Sequence, residues 1–445
     1  MKKVNFIFIQ PHFRKFDGHY FDYIYSLSQN LNQSTFDVSF YGARDALPEI
    51  QSQFSCFIPF FSAFAANSPL SSNSEKEPNT SLLAKYRSKS FKFLRKFRKI
   101  SHTFLFKDIT ESFYFMWESI RFVRAIKKKF AKTECVFFVD TIQYFRILGY
   151  AFIYLMIKRG KVLQESHFFL FLRFSNHGDH RLGSMLSRWI TKFAVRSLLR
   201  CCSTANVTLF TDSVLLKKEQ EDLLKVPVQL LPIPAFRNNK HGSMSCFKQK
   251  NNLRKVITYW GGNNAVKGSE FVFRLLCSQK LSEANVEVHA QFDAQEIVML
   301  KKQFAQNCSF LERNINNKYV NFLPKNIPSD QYDRIIERTD IMLLPYQGKH
   351  YAKCTSGIFT DCLANNKVPV ASSGTWIAYE LAQLNLNQLI FESGSYSSFE
   401  KKVLDVANDY HSFQKSVDQI SDNWRKFHNP KSLADNIVKL VSFIP

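Results

Sequence analysis

Two short segments carry residue types whose spacing suits the binding of a phosphate. In the first, Gly261-Gly262-Asn263-Asn264-Ala265-Val266-Lys267-Gly268 follows the apolar run KVITYW and precedes SEFVFRLL. In the second, Thr355-Ser356-Gly357 follows the run IMLLP and a polar stretch containing Lys353, then opens IFTDCLANN, which leads into VPVAS. Each is a small-residue turn between a buried strand and a helix. Free N–H groups and the positive end of the helix dipole attract an anion at such a turn. Any parallel α/β protein contains turns of this kind, so the pattern serves a purely structural reading as well.

The elements that must position these turns alternate along the whole chain. The strand VNFIFIQ, a turn at Asp17-Gly18, the helix YFDYIYSLSQNL and the strand FDVSFYG make an α/β opening. From Glu134 the rhythm resumes: ECVFFVD ends in Asp140, GYAFIYLMIKRG reads as a helix, and HFFLFLRF runs into the polar Asn176-His177-Gly178-Asp179-His180. The Pro-punctuated VPVQLLPIPAF closes a first domain near Phe236, and the polar, aperiodic Asn238–Asn252 reads as a linker. A second α/β domain follows. No internal repeat exists beyond this rhythm.

Composition bounds the partners. The chain has 445 residues, 45% hydrophobic, enough for two or three domains with full cores. Sixty Lys+Arg against 37 Asp+Glu give a net charge of +23, which calls for an anionic partner: a membrane surface, a nucleic acid or a phosphorylated substrate. The segment Lys85 to Lys107 interleaves Lys and Arg with Phe and Leu and holds no acidic residue, which suits an amphipathic helix at an anionic membrane as well as a solvated helix with a core-facing Phe stripe. Nine cysteines without Cys-x-x-Cys spacing argue against a zinc site and a disulfide framework, and no Asp-x-Asp or His/Cys set marks a metal. The expected location is the cytoplasm, soluble or peripheral to the inner membrane face. The start MKKVNFIFIQPHF is too short for a signal peptide, and ILGYAFIYLMI is too short to span a bilayer.

Taken together, these pieces resemble the nucleotide-sugar glycosyltransferases of the GT-B architecture, two Rossmann-like domains facing each other across a cleft, particularly the retaining group 1 type. Four segments carry the resemblance: Gly261–Gly268, ending in Lys-Gly; Asp340–Tyr346 (DIMLLPY); Tyr351–Gly357 with the helix and strand Phe359–Val370; and Val207–Pro234 with its I-P-x-P exit. Two positions depart from the family. Gly262 stands where many members carry an arginine on the diphosphate, and the family's two glutamates, separated by seven residues, align with Lys353 and Asp361.

The resemblance implies an acceptor-binding domain at 1–236 with a basic helical insertion at about 82–132, a linker at 237–252, a nucleotide-sugar domain at 253–421, and a C-terminal helix at 422–445 packing back on the first domain. It implies transfer of a sugar to a surface glycan or lipid-linked acceptor, metal-independent and retaining, with no cofactor beyond the donor substrate. Lys267 would stabilise the charge that develops on the leaving nucleoside diphosphate. Gly261, Gly262, Lys353, Thr355, Ser356 and Gly357 would line the diphosphate, the Ser356 hydroxyl touching its oxygens, and Asp361 would meet the ribose unless it is a solvated helical residue. His177, preferred over His180, would lie near the donor sugar or else in an ordinary surface turn. Asp140 would orient an acceptor hydroxyl or cap a helix, and Gly18 and His19 would form the acceptor-side loop or a plain tight turn. A nucleic-acid-binding protein using the basic surface and an inactive GT-B-like protein are the competing readings. The first lacks a recognisable motif, so no nucleic-acid partner is expected.

Overall fold

The computed structural model describes residues 3–11, 13–14, 18–61, 104–130, 133–140, 147–159, 165–173, 184–200, 207–235, 254–304 and 310–442. Two compact units divide the chain: Met1–Leu230 with Val438–Pro445, and Leu231–Ile437. Residues 85–103 of the basic segment, the linker 237–252, His177 and His180 lie outside the described residues.

Unit 1 is built on seven parallel strands in the order β3-β2-β1-β4-β5-β6-β7: β1 Val4–Gln10, β2 Phe36–Ala43, β3 Phe57–Phe61, β4 Glu134–Val139, β5 Glu165–Phe171, β6 Val207–Thr211 and β7 Gln229–Leu230. Phe6 to Ile9 are fully buried, as expected of a strand covered on both faces. The longer helices are α1 Gly18–Asn30, α2 Phe104–Phe130, α3 Ile147–Arg159, α4 Ser184–Arg200 and α5 Val214–Leu224. One core joins Phe122 and Ile126 of α2, Ile153 of α3 and Leu198 of α4 to Phe137 and Phe168 of the sheet. Phe115 of α2 packs on Tyr150 of α3 at 4.8 Å between ring centroids.

Unit 2 holds six parallel strands in the order β10-β9-β8-β11-β12-β13: β8 Lys255–Tyr259, β9 Val286–Gln291, β10 Val320–Leu323, β11 Ile341–Leu344, β12 Val368–Ser372 and β13 Ile390–Phe391. Its longer helices are α6 Ser269–Leu276, α7 Ala294–Gln303, α8 Ser329–Arg338, α9 Gly357–Ala364, α10 Trp376–Gln383, α11 Tyr396–Asn408 and α12 Tyr410–Phe427, and the last helix, α13 Pro430–Ser442, is divided between the units at Ile437. Strand order reverses between β8 and β11, which pair in register from Ile257↔Ile341 to Tyr259↔Leu343. At such a switch point the two following turns diverge to opposite faces and leave a crevice at the carboxyl ends of the strands. This topology brings Gly261–Gly268 and Tyr346–Gly357 together across the sequence.

Candidate functional site

The turn after β8 is built from backbone. Alternation along the strand sends Tyr259 and Trp260 to opposite faces. Tyr259 turns back under the loop, where its hydroxyl donates to the carbonyl of Gly262 at 3.1 Å and reaches that of Lys267 at 3.4 Å. Burial pushes the Tyr259 pKa well above its ordinary value, so it stays a donor. A Cβ on Gly261 would overlap the Tyr259 hydroxyl. Asn264 caps the single 3₁₀ turn Ala265–Lys267, its Oδ1 accepting from Val266 N at 2.9 Å. Gly268, at φ +75°, then starts α6.

The exit of β11 clamps that turn. Gln347 donates its backbone N–H to the carbonyl of Val266 at 2.9 Å and its Nε2 to that of Ala265 at 3.0 Å. Tyr346, its pKa pushed up to about 12 by burial, packs against Tyr351 with 4.5 Å between centroids and 44° between planes. The hydroxyl of Ser372 donates to its carbonyl. Lys267 is thereby fixed at the β8–β11 crevice. Its side chain is half-buried, desolvation lowers its pKa from the ordinary 10.5, and among the described residues its ammonium has no hydrogen-bond or ion-pair partner. A desolvated cation without a counter-ion is stabilised by a bound anion.

The Ser356 hydroxyl is buried and accepts from Phe359 N at 3.3 Å as the N-cap of α9. Backbone groups of Gly357 and the side chains of Lys353 and Thr355, both half-buried, remain at that turn. Asp361 is buried in the second turn of α9 and accepts from the Tyr332 hydroxyl at 3.0 Å, which excludes a solvated role. Tyr332 packs against Trp260 with 4.7 Å between ring centroids and 52° between planes. The Trp260 indole N–H is buried and, among the described residues, has no acceptor. Gly262, at φ +58°, leaves open the space toward the Glu296 carboxylate, 3.7 Å from where its Cβ would stand. Sequence reasoning missed Tyr259, Trp260, Tyr332, Tyr346 and Gln347. Only the position of Tyr259-Trp260 before a double glycine hinted at them.

In unit 1 the polar groups gather at the carboxyl edge of the sheet. Asp140 after β4, Arg173 after β5 and Asp212 after β6 are each less than a tenth exposed. The Arg173 Nε donates to Asp140 Oδ1 at 2.9 Å, its Nη1 lies 3.6 Å from Asp212 Oδ2, and its guanidinium covers the Tyr23 ring at 4.1 Å. Asp140 is therefore held in an ion pair with Arg173. Gly18 and His19 begin α1, with the His19 side chain outside the described residues. β5 ends at Phe171, short of His177.

Among the described residues no three metal-ligating side chains gather, and no helix is long and apolar enough to cross a membrane.

No protein-family model and no curated protein matches the chain. Solved structures do. A glycosyltransferase from Rickettsia africae ESF-5 superposes with a TM-score of 0.64 over 100% of this chain and 99% of that one, at 8% identity. Anabaena HepE in complex with UDP and glucose gives 0.59, covering 99% and 100% at 10% identity. WaaG, a glycosyltransferase involved in lipopolysaccharide biosynthesis, gives 0.51, covering 98% and 99% at 12% identity. Likeness at such low identity speaks for the fold, and with two parallel Rossmann-like sheets of seven and six strands it establishes that this chain has the two-domain GT-B architecture.

Proposed function

We propose that the chain is a glycosyltransferase that moves a sugar from a nucleotide-sugar donor, held by unit 2, to a surface glycan or lipid-linked acceptor. The carrying observation is Lys267: a desolvated, unpaired ammonium on a backbone-built turn at the switch point of a parallel sheet. A nucleoside diphosphate supplies the missing counter-charge. As the glycosidic bond to the diphosphate breaks, charge grows on the leaving oxygen, and a cation held in place by Gly268 and Gln347 favours that state over the ground state. Gly261, Gly262, Lys353, Thr355 and Gly357 line the diphosphate in this reading, and Trp260, Tyr332 and Asp361 form the wall nearest the nucleoside. The chemistry is metal-independent and of the retaining type, with the donor as the only small-molecule requirement. His177 serves the donor sugar, and Gly18, His19 and the edge at Asp140 belong to the acceptor side. The domain limits proposed are those of the sequence pattern, 1–236 and 253–421, with 422–445 as a returning helix and the cytoplasmic membrane face as the working location.

Gly262 and Lys353, standing where the family carries arginine and glutamate, favour one second reading: a donor-binding GT-B protein without turnover. A thermal-shift screen against UDP-, GDP-, ADP- and CMP-sugars, repeated with Lys267→Ala, tests the donor site. A shift with one nucleotide class, lost in the variant, supports it; no shift with any of them overturns it. Release of free nucleotide in the presence of acceptor separates enzyme from inactive binder.

A further inference from the structure

The outer face of the α2–α3–α4 layer in unit 1 displays side chains that the core does not use. Trp117 is 63% exposed, Trp189 62% and Phe193 53%. Tryptophan is ordinarily well covered, so two on one helical layer need a reason. Trp189 and Phe193, one turn apart on α4, stack with 5.5 Å between centroids and 10° between planes.

The same stripe occurs on both flanking helices. Trp117, Arg121, Arg124 and Lys128 on α2, and Trp189, Phe193, Arg196 and Arg200 on α4, occupy positions i, i+4, i+7 and i+11. At 100° per residue these positions gather within about 60° of arc. The buried residues Phe122 and Ile126 on α2, and Ala194 and Leu198 on α4, lie on the opposite side of each helix, against the sheet. Each stripe is about 16 Å long, and the two are separated by the width of α3, roughly 16–20 Å.

Among the described side chains, the exposed charge on this face has one sign. Helices α3 and α4 contain no Asp or Glu. The only carboxylate among the described side chains of α2 is Glu118, which is buried. α2 ends in Lys127, Lys128 and Lys129, all exposed.

We infer that this face docks on an anionic lipid bilayer, Trp117, Trp189 and Phe193 entering the interface while the arginines and lysines bind headgroup phosphates. Exposed aromatics beside cations, with no exposed carboxylate among the described side chains of these helices, match the mixed apolar and anionic character of such a surface. A protein interface favours an apolar centre with a rim of both signs, and a single strand of nucleic acid needs a groove to follow; the outer surfaces of packed helices offer neither. The inference concerns unit 1 alone and stands whether or not unit 2 binds a sugar donor.

Co-sedimentation of the full chain tests it, with vesicles of phosphatidylcholine alone and of equimolar phosphatidylcholine and phosphatidylglycerol. The parent should pellet with the anionic vesicles only. Trp189→Ala with Phe193→Ala, and separately Arg196→Glu with Arg200→Glu, should each weaken partitioning about tenfold or more. Both pairs are at the surface, so melting temperature and any donor-induced shift should be those of the parent. Unchanged pelleting of both variants overturns the inference. So does loss of a dimer in light scattering without an effect on vesicle binding, which would make the face a contact between copies, or displacement of the parent from vesicles by a random oligonucleotide that the variants no longer bind. Absence of a donor shift in every protein would count against sugar transfer and leave the docking face untouched.

Discussion

A Cβ on Gly268 would overlap the carbonyl oxygen of Pro345, so the turn that carries Lys267 and the exit of β11 approach as closely as two backbones can. Gly268 also sits at φ +75°, which side chains rarely adopt. Gly268→Ala should therefore cost about 2–4 kcal/mol of unit 2 stability and weaken any donor-induced thermal shift, since relief of the clash moves Lys267. Denaturant unfolding alongside the donor screen measures both.

Lys267 should give donor binding an alkaline limit. Burial lowers its pKa from 10.5, so the ammonium is lost as pH rises through that lowered value, and affinity falls with it. Calorimetry across this range should show tightest binding on the acid side. Lys267→Arg, which cannot deprotonate, should flatten the profile, and Lys267→Ala should weaken binding roughly tenfold to a hundredfold throughout.

Tyr332→Phe removes a hydroxyl donor from the buried carboxylate of Asp361 and should destabilise unit 2 by about 1–3 kcal/mol. In a double-mutant cycle with Asp361→Asn, the coupling should be clearly non-zero. Additive losses would show that the contact carries no energy.

Arg173 neutralises Asp140 and Asp212 where water is excluded. Arg173→Met should cost about 3–5 kcal/mol, more than Asp140→Asn, because it leaves two buried carboxylates without that cation. Comparing the two variants by chemical denaturation checks the ordering.

His428 makes unit 2 acid-sensitive. Its Nδ1 accepts from Ile233 N at 3.0 Å, and burial lowers its pKa from 6.5 to about 3. Between those values the unfolded chain binds a proton that the native state refuses, so stability is full above pH 6.5 and falls as pH drops toward 3. The loss should approach about 4 kcal/mol. His428→Asn keeps an acceptor for Ile233 and should flatten this slope in pH-dependent unfolding.

Strand and helix order was legible from the chain itself, because short runs such as VNFIFIQ and VPVAS, bounded by turn residues, are apolar at nearly every position, as a strand covered on both faces requires. The small-residue turns at Gly261–Gly268 and Ser356-Gly357 were legible for a related reason: positive φ and helix capping constrain residue type locally. Side-chain direction was not. Whether the Ser356 hydroxyl caps its own helix depends on a rotamer, and here it does.

What the amino-acid sequence determined by itself is therefore a basic, two-domain α/β chain with glycine turns at strand ends, since period, turn chemistry and charge are properties of neighbouring residues. The tertiary structure alone decided that Pro345 closes on Gly268, that Tyr332 holds Asp361 beside Trp260, that Arg173 joins Asp140 to Asp212, and that Trp117 and Trp189 stand on one outer layer. These partners lie far apart along the chain, and only strand order and helix packing bring them within reach.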